Sequence, residues 1–89
     1  MDKLEYQQLL NGTSEKMTTF IFEKVDRAYE DAQRIDIHDL TRDIFGMTNT
    51  FIPNLANTPE FNSVCNAVDF LIEEGSVWFD TRDGTVHRV

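Results

Sequence analysis

Positive charge is what this chain has least of. Eight Lys and Arg face sixteen Asp and Glu in 89 residues, a formal net charge of −8. Between Arg42 and Arg82 there is no Lys or Arg at all, while Asp43, Glu60, Asp69, Glu73, Glu74 and Asp80 fall in that span. Affinity for nucleic acid comes mostly from cations that neutralise phosphates, so this distribution argues against a broad phosphate-binding face. Cysteine is almost absent too: Cys65 stands alone, which excludes an intramolecular disulfide and fits a reducing cytoplasm. His38 and His87 are the only histidines and have no ligand spacing between them, so no metal site is expected. The four glycines each fall at a turn or a helix end, leaving none for a phosphate-cradling loop. No apolar run approaches the length of a membrane span, and "MDKLEYQQLL" lacks the basic region and cleavage site of a secretion signal. Nothing assembles a nucleophile, a base and an oxyanion donor; a non-enzyme without cofactor is the expectation.

What is present is a helical pattern with clear punctuation. With 40% hydrophobic residues, seven of them Phe, a chain of this length can build one core without staples. "KLEYQQLL" reads as a short helix over residues 3–10, capped by Asp2 and stopped near Asn11-Gly12. "EKMTTFIFEKVDRAYEDAQ" carries the strongest helical signal, with Met17, Phe20, Ile21, Val25, Ala28 and Ala32 at helical spacing. With Phe22 and Tyr29 these cover an apolar arc of roughly 200°, wider than one packing partner needs. The N-terminal segment is the expected cover for the second side.

Asp36 is a natural N-cap for a helix from Ile37 to Phe45, after a short extended segment at Arg34 and Ile35, with Asp39 in the first turn and Gly46 as the stop. Residues 46–57 read as a loop holding at most a helical turn, pinned by Phe51, Ile52 and Leu55. Thr58, Pro59 and Glu60 announce another helix, running to about Glu74 and ending at Gly75. Its expected buried stripe is Phe61, Val64, Cys65, Val68, Leu71 and Ile72, and Cys65 is read there as an inert core thiol. Val77, Phe79 and Thr81 then alternate with Trp78, Asp80 and Arg82, and Asp83-Gly84 supplies a turn into a returning strand from Thr85 to Val89. A two-residue loop pairs Asp80 with His87 and Thr81 with Val86; a three-residue bulged loop shifts that pairing.

Helix, short strand, helix, loop, helix and hairpin is an order that resembles a winged helix-turn-helix over about residues 15–89, with "IHDLTRDIF" as its second helix and "VCNAVDFLIEEGSVWF" as the third helix entering the wing. The expected fold is therefore α+β: one mostly helical, winged-helix-like domain with a C-terminal β-hairpin, residues 1–12 forming a short helical extension. The long link between second and third helices departs from a compact helix-turn-helix. The resemblance implies that the third helix reads a groove and the wing touches the backbone. Carried over, Asn62, Ser63 and Asn66 would read bases and Arg82 and Arg88 would hold phosphate, making a sequence-specific DNA-binding regulator.

The charge favours a different function. Phe70 sits opposite Phe61 on the helical wheel, and one of Trp78 and Phe79 must face away from the core. Exposed aromatics beside Asp69, Glu73 and Asp80 would form a contact surface for a basic protein. The leading expectation is an acidic protein-binding module, a monomer or homodimer in the cytoplasm with no membrane contact. It would act as a regulator or inhibitor of phage or mobile-element type that engages a nucleic-acid-binding protein.

Overall fold

Side-chain caps set most of the helix boundaries. The computed structural model describes residues 2–47 and 54–89. Helix α1 spans Lys3–Leu10, its first turn capped by the Asp2 carboxylate, which accepts from the Glu5 amide at 2.7 Å. Helix α2 spans Glu15–Glu30 with Ser14 as N-cap. Helix α3 spans Ile37–Phe45 behind a capping box in which the Asp36 and Asp39 carboxylates each accept from the other residue's amide. Gly46 ends α3 in the left-handed region at φ 69°. A 3-10 turn at Leu55–Asn57 leads into α4, Pro59–Glu73, whose N-cap is Thr58. Strands β1 (Val77–Asp80) and β2 (Thr85–Arg88) close the chain as an antiparallel hairpin. The helix boundaries expected from the caps are reproduced; of the loop pins, Leu55 is buried, while Phe51 and Ile52 lie outside the described residues.

The second helix is shorter than its apolar periodicity implies. It stops at Glu30 because Ala32 turns into the left-handed region, φ 54°, and the Gln33 amide bonds back to the Ala28 carbonyl at 2.8 Å. That is a Schellman ending with alanine where glycine is usual. Ala32, expected to continue the apolar stripe, is outside the helix and exposed.

The core is a single cluster. Leu9 of α1, Met17, Ile21 and Val25 of α2, Leu40 and Ile44 of α3, Val64, Ala67, Val68 and Leu71 of α4, and Val77 and Val86 of the hairpin meet in it. Leu9 is wholly enclosed, so the N-terminal segment does pack on the body of the domain, as the wide arc on α2 implied. The cover is incomplete, because Phe22 and Tyr29 remain exposed. The hairpin is tied in by a backbone bond from the Val86 amide to the Ile35 carbonyl at 2.8 Å and by an isolated bridge between Asp36 and Thr85. Among the described residues, four α-helices with a C-terminal hairpin make an α+β domain compatible with a winged-helix-like fold. No helix among the described residues is long and apolar enough to cross a membrane.

Candidate protein-contact surface on helix α4 and the hairpin

The hairpin register differs from the two-residue expectation. Asp80 pairs with Thr85, Phe79 with Val86, Trp78 with His87 and Val77 with Arg88, leaving a four-residue loop from Thr81 to Gly84. Gly84 takes φ 74° and its amide donates to the Asp80 carbonyl at 2.8 Å, which closes the loop. Relative to the expected pairing the strands shift by two residues, so each side chain keeps its face.

Carboxylates build that loop. Asp80 accepts from the Arg82 amide at 3.0 Å and from the Arg82 guanidinium at 3.1 and 2.9 Å. The guanidinium beside it holds the Asp80 carboxyl well below the usual range, at about 2. Asp83 accepts from the Thr85 amide and hydroxyl, and Arg34, from the segment before α3, reaches it at 3.3 Å. The Thr85 hydroxyl also lies 2.6 Å from His87 Nε2. Asp80, Asp83 and His87 bring ligand atoms within 4.8 Å of one another, a spacing a metal ion can use. Their polar atoms are already engaged by Arg82, Thr85 and Arg34, and the cluster works as the clamp of the turn.

Two aromatics remain outside. Trp78 lies on the face opposite Val77, 45% exposed, and its ring stacks on His87 with centroids 4.4 Å apart. Phe79 shares the Val77 face yet is 37% exposed. Both hairpin aromatics therefore reach solvent, where one was expected. Asp69 and Glu73 are exposed on α4, while Phe70 is half-buried. Asp80, expected at the contact surface, is 9% exposed and bound to Arg82.

Helix α4 is turned from its expected orientation. Its buried set is Ser63, Val64, Ala67, Val68 and Leu71. At 100° per residue that face is rotated by roughly 70° from the stripe expected from hydrophobicity. Phe61 and Cys65 become half-buried and Ile72 is 38% exposed. Burial, with a smaller push from Asp69, raises the Cys65 thiol above its usual pKa, which keeps it protonated. The rotation comes from α1. The Tyr6 hydroxyl donates to Glu60, the Tyr6 ring meets Phe45 edge-on, and Gly12 lies directly against α4.

That packing changes the residues expected to read DNA. Ser63 is 2% exposed and donates to the Glu60 carbonyl at 2.9 Å, so it faces inward and not toward a groove. Asn62 and Asn66 are exposed, but a Cβ on residue 12 would stand 2.7 Å from the Asn66 Cβ, so the turn after α1 crowds that face. On the hairpin, Arg82 is held by Asp80, and Arg88 is held by Asp26 while its guanidinium lies 4.1 Å over the Tyr29 ring. Both arginines are neutralised within their own chain.

Comparison with known proteins finds no matching family, no matching characterised protein and no matching solved structure.

Proposed function

We propose that this chain is an acidic, winged-helix-like module that acts by binding a protein with a basic surface, as a regulator or inhibitor of a nucleic-acid-binding protein. The observation that carries the reading is the pairing of exposed aromatics with unneutralised acid. Trp78 and Phe79 present apolar surface. They adjoin a helix that bears Asp69 and Glu73, with Glu74 at its C-cap, and no Lys or Arg. Aromatic anchors dominate interface energies, and complementary charge selects the partner and speeds encounter. The winged-helix likeness is supported by the segment before α3, which pairs with β2 at Asp36 and Thr85. Occupying a nucleic-acid-binding groove is a use that suits a net charge of −8.

The test is a selection from a random peptide display library at physiological salt. Enriched peptides should carry net positive charge, and their binding should perturb the fluorescence of Trp78, the single tryptophan. Trp78→Ala should weaken them about 30-fold, the effect of an interface hot spot near 2 kcal/mol. Enrichment of neutral or acidic peptides, or tight retention of duplex DNA at the same salt, would overturn the proposal.

A further inference from the structure

We infer that a groove between α2 and the C-terminal end of α4 is a second docking site, one that seats a single arginine or lysine side chain of a basic partner. The basic-partner reading gives this site its use; its chemistry is independent of the hairpin. It is an open, shallow groove of about 360 Å³, lined by Thr18, Thr19, Phe22 and Glu23 on one side and by Leu71, Glu74 and Ser76 on the other.

Three features fit a long cationic side chain. The groove has an apolar component: Leu71 is buried, and Phe22 is 37% exposed. Lysine and arginine stems lie along such surfaces while the charged head stays near water, and the face of an aromatic ring attracts the head. Glu23 and Glu74 are exposed and carry no ion pair among the described residues. No cation lines the groove, and none lies anywhere on α4. The larger groove between α1 and α2, about 610 Å³, differs in this respect, because Lys16 lines it and is already paired with Glu5. Glu23 also lines the neighbouring hollows that hold Lys16, Lys24 and Arg27, whereas Glu74 stands at the C-cap of a helix without Lys or Arg; negative charge beside partly apolar surface is complementary to a guanidinium or ammonium.

The probe is a capped pentapeptide, four alanines around a central arginine, titrated into the whole isotope-labelled chain and followed by amide chemical shifts. Its control replaces arginine with citrulline, which keeps the shape and removes the charge. The expected result is saturable shifts at Phe22, Glu23, Leu71 and Glu74, absent with citrulline. The double substitution E23Q/E74Q should weaken binding by about five- to tenfold, the range for two exposed ion pairs. Both glutamates are exposed, so the thermal midpoint should hold. Trp78→Ala should leave the saturable shifts at Phe22, Glu23, Leu71 and Glu74 in place. Equal binding of citrulline, or shifts spread over Glu15, Asp31 and Asp69 that do not saturate, would overturn the site. Loss of peptide binding in Trp78→Ala but not in E23Q/E74Q would remove the groove and leave the hairpin reading standing. A groove that binds arginine while the display library enriches no basic sequence would do the reverse.

Discussion

Ser63 and Ile72 lie on the same helix and have exchanged the environments their chemistry suggests. The serine is 2% exposed and the isoleucine 38%. The difference teaches that burial on α4 is allotted by which neighbours can come close. On the Ser63 flank, side chains are small and the turn after α1 offers a glycine, so two backbones meet. A Cβ at residue 12 would stand 2.4 Å from the Ser63 carbonyl oxygen. The serine hydroxyl is satisfied by the Glu60 carbonyl, so enclosing it leaves no unpaired polar group. On the other flank the His38 ring lies 4.9 Å from that of Phe61. Ile72 and Cys65 are left partly in water there.

The sharpest way to break this comparison is at residue 12. Gly12→Ala should destabilise the domain by about 1–3 kcal/mol, because the new methyl must push backbone away from backbone. Chemical denaturation measures it, and an unchanged midpoint would mean that α1 does not hold α4 in this rotation.

Next in size is Tyr6. Tyr6→Phe keeps the ring against Phe45 and removes the bond to Glu60, an expected loss of about 1 kcal/mol. The same bond, with burial second, pushes the Tyr6 hydroxyl from 10 up to about 12. The folded state thus holds this proton more tightly than the unfolded chain. Its contribution is intact below pH 10 and is lost as pH rises through about 12. Absorbance titration of a Tyr29→Phe variant reads the ionisation directly, and a midpoint near 10 would sink the α1–α4 contact.

The smallest effect is expected on the open flank. Ile72→Gln should change stability by no more than about 0.5 kcal/mol, since the side chain is already partly solvated. A loss of several kcal/mol by denaturation would show that Ile72 belongs to the core after all.

The helix frame was legible because its signals are local. Asp2, Asp36, Thr58-Pro59, Gly46 and Gly75 each act within a turn of their own position, and each marks a boundary where it was expected. The rotation of α4 was not legible, since it depends on Gly12, which reads in sequence only as a turn residue. The hairpin register was hidden for a similar reason. Asp83-Gly84 resembles a two-residue turn, yet the Asp80 side chain captures Arg82 and enlarges the loop to four. Of the candidate site, the exposure of Trp78 and Phe79 was half legible from alternation. The groove at Phe22 and Leu71 joins residues far apart in the chain, and no spacing announces it.

The bond between Val86 and Ile35 has a further consequence, for what a fragment of this protein can do. A two-stranded hairpin alone is marginal in water. Here it is held by a backbone bond and a bridge to residues from the opposite half of the chain, and by Val77 and Val86 in the shared core. The stacked pair of Trp78 and His87 is therefore a cooperative product of the whole domain. A synthetic peptide of residues 76–89 would carry every side chain of the hairpin and still present no platform. Cut down to its hairpin, this molecule would lose the surface that the hairpin presents in the whole domain.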